Sequence, residues 1–118
     1  MPRRKRLVQS IVRGLYQAIV LGILAREGPL HGYALRKRII EATGGLLEPS
    51  ESTVYDTLKS LEKAGLVKGS WMIGAEGGPP RKYYRVTEEG IRELREVCQI
   101  LRRVFDTAAS LACGRGGA

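Results

Sequence analysis

The chain has few of the side chains from which metal sites and acid–base centres are built. Among its 118 residues are two cysteines, Cys98 and Cys113, and a single histidine, His31. Cysteines this far from each other and from the histidine match neither a zinc-ligand pattern nor a disulfide framework. Around His31 the sequence offers no Ser/His/Asp set and no paired carboxylates. We therefore expect no metal, no cofactor and no enzymatic activity.

Long apolar runs are also lacking. The longest, AIVLGILA at residues 18–25, is too short to span a bilayer. The basic start of the chain is not followed by the apolar stretch and cleavage site of a signal peptide. The sequence thus predicts no membrane partner. Two isolated cysteines also fit a reducing compartment, so we expect a cytoplasmic protein.

Acidic residues are the minority among the charged side chains. The sequence has 12 Asp and Glu against 20 Lys and Arg, which gives a formal net charge of +8. Such an excess in a globular composition indicates a polyanionic partner, with nucleic acid ahead of anionic lipid. The length fits one domain with one hydrophobic core.

The spacing of apolar residues predicts three helices in the first half of the chain. Residues 7–25 have one broad apolar face, and Gly28-Pro29 ends that helix. Residues 31–43 form the second helix, and a third follows the loop LEPSEST, capped by Ser50 or Ser52. The side chains of the second helix that we expect to face inward are Tyr33, Leu35, Ile39 and Ile40.

Two short strands and a long helix follow. LVKGSWMI and RKYYRV flank the turn cluster GAEGGPP and predict a hairpin in which Trp71, Tyr83 and Tyr84 pack. Thr87 is placed to cap the last helix. The predicted fold class is therefore mainly α (α+β), a winged helix-turn-helix with a two-stranded β wing and a long C-terminal dimerisation helix.

The last helix carries a heptad seam. Its apolar and small residues recur at alternating spacings of three and four, as in a coiled coil, and a single such helix needs a partner to bury them. We therefore predict a homodimer. The predicted interface residues are Leu94, Cys98, Leu101, Phe105 and Ala108.

Four segments follow from this pattern. They are a basic flexible arm (1–6), a winged helix-turn-helix DNA-binding domain (7–87), a C-terminal dimerisation helix (88–113) and a disordered tail (114–118).

The third helix is slightly acidic inside this basic protein. Residues 51–63 contain two lysines against three acids. Phosphate contacts supply affinity while base contacts supply specificity, so a helix in the major groove can be neutral if cations lie around it. Positive charge lies on the arm, on the second helix at Arg36 and its neighbours, and around the wing.

Three motifs resemble one known family. GPLHGYAL, PSESTVYDTLKSLEKAGLV and GGPPRKYYRVTEEG occur in the order and spacing of the PadR-like transcriptional regulators, across roughly residues 12–90. The resemblance implies a winged helix-turn-helix fold, a homodimer built largely on the last helix, and sequence-specific repression of promoters. The single C-terminal helix resembles the short-tailed branch of that family.

The resemblance also implies site residues. Those on the third helix are Ser50, Ser52, Thr53, Tyr55 and Lys59. The hydroxyl of Tyr55 is expected to bond a phosphate, and Arg81 and Lys82 match the basic pair of the wing. We add Arg36 and Lys63 as further contacts with double-stranded DNA. Position 56 is often proline in such sequences, so Asp56 leaves the details of groove contact open.

Two other functions remain open at this point. A basic winged helix can bind RNA, although the major groove of an RNA duplex is too narrow to admit a helix. Alternatively, the protein is a sensor whose repression is relieved by a small-molecule effector. Some relatives bind planar aromatic compounds between protomers through aromatic residues of the last helix, where this chain offers only Phe105.

Overall fold

The computed structural model describes residues 5–114, which form four helices and one antiparallel sheet of three strands. This is the mainly helical winged helix-turn-helix that the sequence predicts. The elements in chain order are α1 (Arg6–Glu27), β1 (Leu30–His31), α2 (Gly32–Ala42), α3 (Glu51–Lys63), β2 (Val67–Met72), β3 (Arg81–Val86) and α4 (Glu88–Cys113).

The hydrophobic core lies where the second half of α1 meets α2, α3 and the sheet. The predicted inward face of α2 is confirmed for Leu35 and Ile39, while Ile40 is half-buried. Tyr33 was expected inside and is instead 56% exposed. It precedes Leu35 by two positions, and residues two apart on a helix do not share a face. The buried apolar residues are Val20, Leu21, Ile23, Leu24, Leu35, Ile39, Val54, Leu58, Leu61, Leu66, Val67 and Tyr84.

Helix α1 passes a length-and-composition test for membrane-spanning helices, although the sequence predicted no such helix. By length and composition alone it is apolar enough to cross a membrane, a property that core helices of globular proteins also have. The two tests differ because the composition test accepts a few polar or charged residues within the helix, whereas the apolar run at residues 18–25 contains none. In this fold α1 places Val20, Leu21, Ile23 and Leu24 in the core.

The sheet contains one strand that the sequence did not reveal. The predicted hairpin is present as β2 and β3, in register from Val67 opposite Val86 to Met72 opposite Arg81. The two-residue β1 pairs with the other edge of β3 and gives the strand order β1-β3-β2. A two-residue strand has no periodicity to detect, and only its pairing with β3 defines it.

Three of the helices have a side-chain N-cap. His31 Nδ1 accepts from Ala34 N–H at 3.2 Å, so this histidine caps α2. Ser50, not Ser52, caps α3. Thr87 caps α4 as predicted, accepting from Gly90 N–H, and its hydroxyl also donates to the Gly65 carbonyl at 2.7 Å.

The ends of the chain are only partly covered by the described residues. Residues 1–4 of the predicted arm and residues 115–118 of the predicted tail lie outside them. Arg6, assigned to the arm, is the first residue of α1, and Cys113 is the last of α4. The division of the chain into four segments stays a prediction.

Candidate nucleic-acid interface

Helix α3 separates a buried face from a polar one. Val54, Leu58 and Leu61 point into the core, as their spacing predicts. The opposite face is exposed, and Tyr55 at its flank keeps 59% of its surface in solvent. This face carries Ser52, Tyr55, Asp56, Lys59 and Lys63. These side chains lie on successive turns of α3 and form one exposed surface that can enter a groove of a nucleic acid.

Two of the predicted site residues, Ser50 and Thr53, form hydrogen bonds with each other at the start of α3. Ser50 Oγ accepts from Thr53 N–H at 3.1 Å and lies 3.1 Å from Thr53 Oγ1. The hydroxyl of Thr57, one turn further on, donates to the Thr53 carbonyl. Ser50 and Thr53 therefore hold the helix start, while Ser52 between them lies exposed.

The cations of α2 differ in their availability. Arg36 Nε donates to the carbonyl of Pro49 at 2.7 Å, which ties α2 to the loop before α3. Arg38 pairs with Glu27 at 2.6 Å and with Glu41 at 2.8 Å. The hydrogen bond that Arg38 donates to Glu27 is the main cause that raises the pKa of Arg38. The charge of Arg38 is thus neutralised within the chain, and Arg36 holds the loop that leads into α3.

The two residues of the wing's basic pair, Arg81 and Lys82, have different partners. Lys82 Nζ lies 3.4 Å from Glu62 Oε1, on the side facing α3, and 5.4 Å from the centre of the Tyr84 ring. Glu62 Oε2 also accepts from the backbone N–H of Gly69 at 3.3 Å. The end of α3 is therefore joined to both strands of the wing.

Arg81 lies beside His31. Its Nη1 is 3.2 Å from His31 Nε2, and the histidine ring meets the Tyr83 ring edge-on at 5.2 Å. Burial, and secondarily the charge of Arg81, lowers the pKa of His31. A neutral ring is the form that can accept a hydrogen bond from the start of α2.

Between α3 and the wing lies a cleft of about 640 Å³ that the sequence reasoning did not anticipate. Tyr84 packs in the hairpin as expected and is buried, but Trp71 is 70% exposed at the rim of this cleft. The period of two along β2 was the available signal, since it places Trp71 on the same face as Val67 and Gly69. The lining residues are His31, Gly32, Tyr33, Tyr55, Trp71, Pro80, Arg81, Lys82 and Tyr84.

The predicted dimer seam of α4 divides into two parts. Leu94 packs partly against the chain's own core, and Cys98 is half-buried. Further along, Leu101 is 39% and Phe105 51% exposed, and Ala108 is exposed as well. Ile100, Val104 and Leu111 add to this apolar surface. Within residues 5–114, no group of three or more His, Cys, Asp or Glu side chains is placed to hold a metal ion.

A family model described as "Transcriptional regulator PadR-like family" matches residues 20–96, from the buried half of α1 into α4. The chain belongs to this family. The PadR-like match includes all nine predicted DNA-contacting residues and the first of the seam residues, Leu94.

Individual relatives agree with this assignment. The PadR-like chain is 35% identical over 83 residues to transcriptional regulator YqjI of Escherichia coli, covering 70% of this chain and 37% of YqjI. The crystal structure of a PadR-like transcriptional regulator from Bacillus cereus has 27% identity and a TM-score of 0.73, covering 90% of this chain and 99% of that one. The crystal structure of Bacillus subtilis PadR in complex with operator DNA has 27% identity and a TM-score of 0.62, covering 71% of this chain and 46% of that one. This chain therefore spans less than half of YqjI and of Bacillus subtilis PadR.

Proposed function

We propose that this PadR-like transcriptional regulator is a cytoplasmic homodimeric repressor that binds operator DNA through α3 and the wing and has no catalytic activity. The observation that carries the proposal is the exposed polar face of α3, bordered by the cations of the wing. This face combines the hydroxyls of Ser52 and Tyr55 with one acid and two lysines, so it offers both hydrogen-bond donors and acceptors. Such a mixture fits base edges in a major groove, where donors and acceptors distinguish all four base pairs. The operator complex of the related Bacillus subtilis PadR supports the same partner.

The residues divide the contacts with DNA between them. Ser52 and Lys59 on α3 are assigned to base edges or nearby phosphates, and the hydroxyl of Tyr55 to a phosphate. Arg81 contacts phosphates beside the groove. Arg36 and Ser50 act chiefly by holding α3, because Arg36 Nε and Ser50 Oγ already bond the chain itself. This division explains why the reading helix itself carries little positive charge.

The exposed part of α4 supports a homodimer. Leu101, Val104 and Phe105 form a row of apolar side chains that a monomer would leave in water. A second copy related by a two-fold axis would cover this row with its own. Two α3 helices held in this way would read half-sites about one helical turn apart.

Regulation by a small molecule stays a prediction of the sequence. The last helix offers only Phe105 as an aromatic contact between protomers. Titrating candidate planar compounds while following Trp71 fluorescence and the melting temperature tests for an effector.

Selection of bound sequences from a random DNA pool, with structured RNA as competitor, is the first test of the proposal. A two-fold symmetric motif that RNA does not displace is the expected result. Recovery of no motif, or efficient displacement by RNA, would contradict it.

Two substitutions then test the assignment of α3. Tyr55→Phe and Lys59→Ala should each weaken operator binding about tenfold at matched salt, the scale of one good contact. Arg95→Ala removes one positive charge from an exposed site on α4 and serves as the matched control. If Tyr55→Phe and Lys59→Ala bind as tightly as the parent, α3 does not read the operator.

A further inference from the structure

We propose that the cleft between α3 and the wing holds one sugar–phosphate segment of the operator, with Trp71 packed against a deoxyribose. Tyr55 and Arg81 would contact the adjoining phosphates. The inference rests on the proposed function and deepens it. It adds Trp71, a residue outside the predicted site, and assigns it to a deoxyribose, which is the same at every base pair.

The position of Trp71 follows from strand register. Trp71 is opposite Lys82 in the hairpin, and Gly69 is opposite Tyr84. Side chains alternate along a strand, so Trp71 shares its face with Val67, which is buried against the core. This face of the wing turns toward α3. The indole therefore overhangs the gap between the wing and Tyr55.

The lining of the cleft combines aromatic rings with cations. Three of its rings are largely exposed: Tyr33, Tyr55 and Trp71 keep 56%, 59% and 70% of their surfaces in water. Among the described residues that line the cleft, none is acidic. Apolar ring faces suit the carbon skeleton of a sugar, while hydroxyl and guanidinium groups suit phosphate oxygens. The set matches a phosphodiester strand better than it matches a base pair.

The arrangement of the two reading elements gives a second reason. A sugar–phosphate strand separates the major and minor grooves of B-DNA, so a helix in one groove and a wing at the next must have that strand between them. The gap in this protein is open to solvent, as a passing chain requires, and has a volume of about 640 Å³. The N-terminal turn of α2, at Gly32 and Tyr33, lines the same gap and favours negative charge there.

Contacts of Glu62 join α3 to the wing beside this gap. Glu62 holds Lys82 at 3.4 Å and the Gly69 N–H at 3.3 Å, so α3 and both wing strands form one unit. A side chain at position 69 would collide with Lys82 and come within 3.1 Å of the Tyr84 ring. Gly69 thereby leaves room for the wing to approach α3 while Trp71, two residues further, stays out of the core.

The lone tryptophan gives a direct signal for the test. Binding of operator duplex should shift and quench Trp71 fluorescence in the parent protein. Trp71→Ala should weaken operator binding about tenfold, the scale of one aromatic contact with nucleic acid, without changing the salt dependence. Trp71→Phe should recover most of the affinity. Arg81→Gln should instead lower the slope of log K against log salt by about one.

Met72→Ala is the matched control. Met72 lies next to Trp71 on the opposite face of β2 and is also exposed, so its truncation should leave binding unchanged. Phosphate-ethylation interference gives an independent readout. Ethylation should block the parent at one phosphate on each side of the dyad, and this block should weaken in Trp71→Ala.

The outcomes separate this inference from the proposed function. If Trp71→Ala binds as the parent while Tyr55→Phe and Lys59→Ala bind weakly, the cleft assignment is wrong and operator reading by α3 stands. If none of these variants changes binding, both fail. A free mononucleotide such as dAMP has the same sugar–phosphate chemistry. Fluorescence quenching by dAMP at micromolar concentration, with no quenching by duplex, would make the cleft a nucleotide site and overturn the inference.

Discussion

His31 Nε2 lies 3.2 Å from Arg81 Nη1, while Nδ1 of the same ring accepts the N–H of Ala34 at the start of α2. A neutral imidazole has one acceptor nitrogen, so the ring that caps α2 through Nδ1 carries its proton on Nε2. In that tautomer Nε2 makes no hydrogen bond with the Arg81 guanidinium, which is itself only a donor. Protonation would remove the cap and add a second positive charge beside the guanidinium. Burial and Arg81 both lower the pKa of His31, in agreement with this geometry.

Stability should therefore decrease on mild acidification. The unfolded chain binds a proton at His31 near its ordinary pKa of about 6.5, and the folded chain only at lower pH. More protons are then bound to the unfolded state in this window, so the free energy of unfolding rises with pH there. The stabilisation that neutral His31 provides is complete above about pH 6.5 and is lost as the pH falls through the pKa of His31 in the folded chain.

Urea unfolding of the parent and of His31→Asn, at about pH 7.5 and about pH 5.5, measures this effect. Asparagine also caps helices but does not titrate, so the substitution should flatten the pH dependence. An equal loss of stability in both proteins on acidification would show that His31 is not responsible.

Ser50 and Ser52 should differ in what they support. Ser50→Ala removes the cap of α3 and should lower the free energy of unfolding by about 1 kcal/mol. Ser52→Ala, on the exposed face, should leave stability unchanged within about 0.5 kcal/mol and weaken operator binding. Thermal unfolding and DNA titration of both variants provide the comparison. A reversed pattern would place the cap at Ser52.

Gly90→Ala should destabilise the fold although alanine favours helices. A Cβ at position 90 would collide with the carbonyl of Leu66 and lie 2.7 Å from Val86 Cγ2. Overpacking of this kind costs about 1–3 kcal/mol. Gly14→Ala in α1 is the control, because a Cβ there meets nothing within 4 Å, and it should stabilise by about 0.5–1 kcal/mol. Denaturant midpoints of the two variants should move in opposite directions.

Leu101→Glu and Phe105→Glu should each produce monomers. A carboxylate in a paired apolar seam loses its hydration, and the dimer dissociation constant should rise by at least about 100-fold. Gln99→Glu adds the same charge on an exposed position of α4 outside the seam and should leave the dimer intact. Light scattering over a concentration series measures the state. Dimers that persist in both seam variants would place the interface elsewhere.

The sequence predicted the elements that carry a strong local pattern. The four helices and the hairpin have long apolar periods or a turn cluster, and Thr87 was recognisable as a cap because acidic residues follow it. Tyr33 was placed wrongly because a tyrosine in a helical pattern looks like a core residue. Its position two residues from Leu35 turns it outward into the cleft.

The candidate site was only partly accessible to sequence reasoning. The exposed face of α3 follows from helical geometry, and its residues were found by spacing and resemblance. The roles of Arg36 and Lys82 were not, because their partners, the Pro49 carbonyl and Glu62, lie far away in the sequence. Trp71 was predicted to pack in the hairpin. The period of two places it on the same face as Val67 and Gly69, but only the tertiary structure shows that this end of the face is left open.

By itself the sequence determined the helix periods, the turn positions and the excess of positive charge, because these depend on neighbouring residues and on composition. Only the tertiary structure decided which charges are free. Arg38 is neutralised by Glu27, Lys82 is drawn to Glu62, and His31 caps α2 at Ala34 while lying beside Arg81. Such pairings arise where distant segments meet, and electrostatic and hydrogen-bonding interactions at a few ångströms depend on that meeting rather than on order along the chain.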